Sequence, residues 1–329
     1  MRVLITGASG FIGAFLAKHC AKADSEVLGI DIRGPEDGWV NGAFERCDVK
    51  DSSRLSKLIV AFRPERIFHL AAQSYPTVSL SRPLETMDAN VGGTINLFEC
   101  LRASAMMPVV IVACSSAEYG PIANEDLPVE ESHALRPLHP YGVSKVAQDL
   151  LAAQYFANYA IPAIRIRLFK TTGPGKLGDV CSDLTKRAVE IEMEIRPSPM
   201  AVGNLSNRRS IVDVRDLVQG LWLAAEYCKA GEVYNLGGDD IYSVQELVEA
   251  IRTLVGFSFD VEQRPELMRP VDERITAGSN ARFRSCCNWT PEISISATLR
   301  DMLEWWRARL GGAIASESQQ DVARIHNLG

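Results

Sequence analysis

Tyr141 and Lys145 stand four residues apart in "YGVSK", at the start of a helical pattern. That spacing puts both side chains on one helix face, one turn apart. A lysine ammonium beside a phenol favours the phenolate and lowers its pKa. The tyrosine then becomes usable as a general base near neutral pH. The stretch "ACSSAEYGP", residues 113–121, supplies a second polar group at the end of an apolar run, Ser115. The pair YxxxK is common by chance and gains meaning only from its company.

The company begins at the N-terminus. "TGASGFIG" places Gly7, Gly10 and Gly13 between the first strand pattern and its helix. Such a loop gives a tight turn, close approach of backbone to a pyrophosphate, and close helix–strand packing. Asp31 ends the second strand pattern, 18 residues after Gly13. A carboxylate there accepts hydrogen bonds from an adenosine ribose and repels a 2′-phosphate, which favours NAD over NADP. Arg33 pulls the other way, because an arginine can hold that phosphate. Asp48, in "CDV", reads either as a partner for the adenine amine or as a turn-capping aspartate.

The elements that must position these groups alternate along the first half. Apolar strand patterns at 2–7, 26–31, 66–72, 108–116 and 162–169, and "AFERCDV" between them, are separated by helical stretches. Continuous apolar strands between helices predict a doubly wound α/β domain with a parallel sheet. We assign residues 1–170 to this Rossmann domain, with a returning strand near 211–238. Residues 171–310 form mainly a smaller, partly interleaved substrate domain closing over the carboxyl ends of the sheet. Residues 311–329 are a weakly patterned tail.

The chain has 329 residues and a net charge of -6. That balance argues against a sequence-independent nucleic-acid binder, which is usually basic. Eight cysteines and five histidines are scattered without metal-ligand spacing, so no metal is expected. No apolar run is long enough to span a membrane, and the expected location is cytoplasmic.

Read together, "TGASGFIG", "HLAAQS", "NVGGTINLFE", "SSAEYG", "PYGVSK" and "GPG" resemble the extended short-chain dehydrogenase/reductases that act as nucleotide-sugar epimerases, dehydratases and reductases. Within that family the chain looks most similar to the GDP-mannose 4,6-dehydratase and GDP-4-keto-6-deoxymannose reductase subgroup. The resemblance runs from Met1 to about Leu310. It implies Ser115, Tyr141 and Lys145 as catalytic residues in reversible oxidation at C4 of a nucleotide-activated hexose. It implies cofactor contacts at Gly7, Gly10, Phe11, Ile12, Gly13, Asp31, Arg33, Asp48, Val49, Leu70, Ala71, Ala72, Tyr141, Lys145 and Phe169. It implies sugar-nucleotide contacts at Ser74, Ser79, Ser116, Lys170, Arg209 and Arg269, and a homodimer through helices at about 90–104 and 143–158.

Two departures from the family pattern carry meaning. The dehydratases bear a glutamate two residues after the catalytic Ser/Thr, and here that position is Ala117. A methyl group transfers no proton, so elimination loses its acid unless Glu118 replaces it. Consecutive residues in an extended segment point to opposite sides, but a bend would bring Glu118 inward. Lys170 stands where the family usually has an asparagine. The resulting reading is a 4-keto reductase or a 4-epimerase, with GDP-sugar favoured. The alternatives are a 4,6-dehydratase using Glu118, a reductase of non-sugar carbonyls, and a cofactor-sensing regulator.

Overall fold

The computed structural model describes residues 1–35, 39, 42–268 and 275–326, the last fourteen of these by backbone alone. In chain order the elements are β1 (Arg2–Thr6), α1 (Phe11–Lys22), β2 (Glu26–Asp31), β3 (Ala43–Arg46), α2 (Ser52–Phe62) and β4 (Arg66–His69). Next come α3 (Pro76–Ser81), α4 (Pro83–Met87), a π-helical turn (Asp88–Gly92), α5 (Gly93–Ser104) and β5 (Val109–Ser115). A 3-10 turn (Ser116–Glu118) leads towards α6 (Pro140–Tyr159), β6 (Ala163–Leu168), β7 (Lys170–Thr172), α7 (Val180–Glu192) and β8 (Met200–Val202). The remainder is β9 (Arg208–Asp213), α8 (Val214–Tyr227), β10 (Val233–Leu236), β11 (Ile241–Ser243), α9 (Val244–Val255), β12 (Val261–Gln263), β13 (Ile275–Thr276), α10 (Ala281–Cys287) and α11 (Ile295–His326).

The chain divides into two compact units. Unit 1 comprises Met1–Thr171, Arg209–Ile241 and Ile275–Glu292. Its seven-stranded sheet runs β10-β6-β5-β4-β1-β2-β3. Every neighbouring pair is parallel. The order reverses between β1 and β4, which is where open α/β sheets bind ligands.

Period-2 alternation explains the two cores of unit 1. Val3 and Ile5 of β1 pack with α1, α8 and α10, among them Leu16, Leu217, Leu221 and Phe283. Leu4 points to the opposite face, with Leu55, Ile59, Leu97 and Leu101 of α2 and α5. On β6, Ile164 and Ile166 join the first core, and Ala163 joins the second. Arg165 and Arg167 share the parity of Ala163, so they point towards the α6 side.

Unit 2 comprises Thr172–Arg208, Tyr242–Arg274 and Ile293–Gly329. Within it α7, α9 and α11 pack on one another, beside a parallel pair of short strands, β8 and β12. The start of α9 is fixed by a capping box between Ser243 and Glu246, and Gly256 ends it with φ 74°.

The structure departs from the sequence expectations in three places. Two short helices, α3 and α4, occupy a stretch without strong periodicity, each opened by a proline at its first turn. Residues 275–292 belong to unit 1, because Phe283 and Trp289 pack in its first core. Beyond residue 310 the backbone continues as helix to His326. Alanine and glutamine recur there and no proline intervenes.

Candidate active site

At the order reversal, backbone rather than side chains builds the surface. Gly7 ends β1 with φ 72°, and its N–H donates to Ile30 O at 2.9 Å. A Cβ there would lie 2.8 Å from Ala71 N, so the glycine loop and the Leu70–Ala72 segment are in backbone contact. At Gly13 a Cβ would lie 2.3 Å from Gly7 O. Only glycine lets α1 start this close beneath the turn. Gly10 caps α1 without a side-chain cap, and no acid stands in the first turn. The helix's own first turn therefore brings no carboxylate to its positive pole, and Phe11 and Ile12 form its half-buried first residues.

Asp31, at the end of β2, accepts from Ser9 N at 3.1 Å and from Arg33 N at 3.0 Å. The Arg33 guanidinium donates to Ser9 O at 3.2 Å and its side chain is 65% exposed. Asp48 accepts from Lys50 N at 2.9 Å, the turn-capping geometry, and its side chain is 41% exposed. Val49 is buried against Gly93. Phe169 is buried with Tyr119 and Val129, so a cofactor could meet only its backbone. The glycine cradle, an acid-free helix start and Asp31 at the second strand end fit a nicotinamide dinucleotide.

The second half of the site joins the end of β5 to α6. His139 caps α6 by accepting from Gly142 N at 3.0 Å, and Pro140 opens its first turn. Tyr141 and Lys145 then share a face, and Asp149 continues it one turn further. Ser115 closes β5 in extended conformation, and its side chain faces the Tyr141 phenol, whose pKa it lowers. Lys145 is buried, with Nζ donating to Ala113 O at 2.8 Å and lying 5.8 Å from the centre of the Tyr141 ring.

Burial pushes the Tyr141 phenol up to about 12, against Ser115, which lowers it. Burial also draws Lys145 down to about 8. The expected lowering of the tyrosine by the lysine is thus corrected. Desolvation of the phenolate dominates, and Lys145 is not among the groups that shift it, so Tyr141 is a protonated acid at neutral pH.

Glu118 also departs from expectation as an acid–base group. The 3-10 turn after Ser115 leaves Ala117 half-exposed and turns Glu118 into the core with no exposure. Its Oε1 accepts from Ser115 N at 2.7 Å, and its Oε2 lies 3.2 Å from Arg167 Nε. Arg167 Nε is also 2.9 Å from Asp149, and Arg165 donates to Asp149 at 2.7 Å. The same Arg167 donates to Tyr119 Oη at 3.0 Å, and Tyr119 to Asn235 Oδ1 at 2.7 Å. Burial first, then the neighbouring Asp149, pushes the Glu118 carboxyl up to about 8. Cys114, Glu118 and Asp149 bring potential ligand atoms within 4.8 Å of one another. The Arg167 guanidinium already bridges the two carboxyl groups and supplies the positive charge that a metal ion would bring.

Sequence reading missed Asp149 and Arg167. The signal was available: two arginines at alternate positions of an inner strand require buried partners. It also missed a polar chain beneath β4, where His69 lies 2.9 Å from Thr6 Oγ1 and 3.0 Å from Thr94 Oγ1. Asn90 in the π-helical turn donates to Ser144 Oγ at 2.8 Å, tying that turn to α6.

The remaining sugar-site expectations divide. Ser74 is exposed and Ser116 half-exposed, and Lys170 is exposed at the start of β7. Arg209 is half-exposed in β9. Ser79 is corrected: it is fully buried, and its hydroxyl donates to Pro76 O at 2.6 Å, within its own helix. Arg269 lies outside the described residues.

The family described as GDP-mannose 4,6 dehydratase matches residues 4–302. The chain is similar to GDP-6-deoxy-D-mannose reductase of Pseudomonas aeruginosa, 27% identical over 310 residues, covering 94% of this chain and 98% of that one. A solved structure of RMD from Pseudomonas aeruginosa complexed with NADPH superposes with a TM-score of 0.83 at 27% identity, covering 94% and 99%. A solved structure of MoeE5 in complex with UDP-glucuronic acid and NAD gives a TM-score of 0.82 at 27% identity, covering 94% and 100%. No helix among the described residues is long and apolar enough to cross a membrane.

Proposed function

The chain belongs to the GDP-mannose 4,6 dehydratase family, and from that premise we propose that it is a nicotinamide-dependent oxidoreductase acting at C4 of a nucleotide-activated hexose. The reading favoured here is reduction of a 4-keto sugar carried on GDP. The observation that carries it is the placement of Ser115 at the end of β5 facing Tyr141 of α6, with a methyl group at Ala117. The site has a proton donor for the oxygen at C4 and no acid where elimination would need one.

When bound, the dinucleotide supplies the hydride. The Gly7–Gly13 cradle and the start of α1 would hold its pyrophosphate, and Asp31 its adenosine ribose. Ser115 orients the C4 oxygen by hydrogen bond, and Tyr141 gives that oxygen its proton. A phenol held protonated at neutral pH suits this direction. Lys145 keeps a cationic group near Tyr141 and would bind the nicotinamide ribose. Arg209 and Lys170 offer cations to the diphosphate. The Asp31 carboxylate supports NAD(H) as the cofactor, with the exposed Arg33 beside it as the group able to accept a 2′-phosphate.

A 4-epimerase would use the same residues and retain its cofactor. Exposed apolar side chains on α5 (Ile95) and α6 (Val143, Leu150, Phe156) support a homodimer through these helices, which light scattering checks. The functional test is oxidation of NADH or NADPH by a GDP-4-keto-6-deoxyhexose, followed by its near-ultraviolet absorbance. Stoichiometric oxidation with formation of the 4-hydroxy sugar is expected. Interconversion of 4-epimers without net oxidation would instead identify the epimerase.

A further inference from the structure

We infer that Glu118 is the positioning residue of the catalytic serine: clamped in the core by Arg167 and Asp149, its carboxyl ties down the Ser115 backbone N–H and so aims the Ser115 hydroxyl at Tyr141. The inference deepens the C4 redox reading and rests on it for its kinetic consequence.

The geometry begins at the strand end. Ser115 leaves β5 at φ −151° and ψ 145°, and the chain turns at once into the 3-10 turn. Two hydrogen bonds close the turn in opposite directions. Ser115 N donates to Glu118 Oε1 at 2.7 Å, and Ala117 N donates to Ser115 Oγ at 3.2 Å. A hydroxyl has one proton and two lone pairs. With one lone pair engaged by Ala117 N–H, the rest of the Ser115 hydroxyl is directed to Tyr141 and the reacting oxygen.

Glu118 can hold the turn only if it is itself held, and the groups around it do so. Arg167 arrives from β6, where it pairs in register with Cys114. Asp149 arrives from α6, on the face that carries Tyr141 and Lys145. The carboxyl that fixes the serine is thereby anchored to the helix that carries the tyrosine. The charged and titratable groups facing it are Cys114, Tyr141, Lys145, Asp149 and Arg167, with Arg165 behind Asp149. No exposure remains through which Glu118 could touch a sugar. Its raised pKa accords with a neutral carboxyl sharing a hydrogen bond with Asp149. A glutamine is therefore its closest substitute.

A double-mutant cycle separates positioning from simple core stability. E118A, E118Q, S115A and S115A/E118A are assayed with the 4-keto sugar. E118A is expected to lower kcat roughly 10- to 100-fold, the scale of a small misplacement, while leaving cofactor affinity unchanged. E118Q restores most of that loss. In the S115A background, E118A adds little further loss. An equal loss in both backgrounds overturns the inference, because the effect would then not pass through Ser115.

A second readout needs neither turnover nor a folded E118A variant. In protein labelled with 15N-serine, the Ser115 amide is identified by its absence from S115A. It is expected at low field, to titrate with pH, and to move upfield and stop titrating in E118Q. An amide resonance indifferent to E118Q overturns the inference. If the amide behaves as expected while no nucleotide sugar is turned over, the C4 reading falls and the clamp stands.

Discussion

The two halves of the site are built by opposite means. The cradle between β1 and α1 is made by leaving side chains out, so that backbone approaches backbone at Gly7, Ala71 and Gly13. The strand end at Ser115 is made by bringing charges in, with Glu118, Asp149 and Arg167 all buried beneath it. The cradle takes its shape from backbone packing, with Asp31 and Arg33 holding only Ser9 of the loop. The strand end depends on buried ionisable groups whose partners come from three elements. A surface that binds phosphates can rely on fixed backbone dipoles. A surface that moves a proton needs side chains at defined distances, and here a second layer of side chains holds the first.

This contrast predicts where each half breaks. The largest effect is expected from Tyr141→Phe, which keeps the ring and removes the proton donor. Turnover should fall by about 10²- to 10⁴-fold, while dinucleotide affinity measured by calorimetry stays near the wild-type value. Gly13→Ala should do the reverse. Its Cβ would meet Gly7 O at 2.3 Å, so the loop must shift, at a cost of about 1–3 kcal/mol in stability and with weakened cofactor binding. Thermal melts with and without NAD check both parts.

A smaller effect is expected at Asp31. Replacing it by alanine removes charge-assisted hydrogen bonds and a repelling carboxylate, and should move the NADH-to-NADPH affinity ratio roughly tenfold towards NADPH. An unchanged ratio would assign cofactor choice to Arg33. The smallest effect concerns pH. The Glu118 carboxyl is raised from 4.5 to about 8 on folding, so the native state binds the extra proton between those values. Its contribution to stability is therefore present at low pH and lost as pH rises through that window. E118Q removes the dependence, and its melting temperature should gain on the wild type between pH 5 and about 8.

What sequence reading could see followed the same divide. The cradle is local: three glycines, a strand before and a helix after fix its geometry within a few residues. Tyr141 and Lys145 were legible because helical spacing places them on one face, and Asp149 lay on the same arithmetic. The direction of Glu118 was not legible. Alternation along a strand cannot say where the strand ends, and the 3-10 turn at Ser116–Glu118 resets the parity. Its partner Arg167 lies 49 residues away in the chain, brought near only by β5–β6 register. Ser79 failed for a similar reason: a serine inside a short helix satisfied its hydroxyl on its own backbone.

The central claim is that this site performs redox at C4 and not elimination, because Ala117 carries no acid and Glu118 is locked in the core. Mass spectrometry of the products tests it directly. The protein is incubated with GDP-mannose and NAD, and separately with a GDP-4-keto-6-deoxyhexose and NADH or NADPH. The account predicts no loss of water from GDP-mannose, and a gain of two hydrogens by the 4-keto sugar that Tyr141→Phe abolishes. Rapid formation of the dehydrated 4-keto sugar from GDP-mannose by the wild-type protein would contradict it.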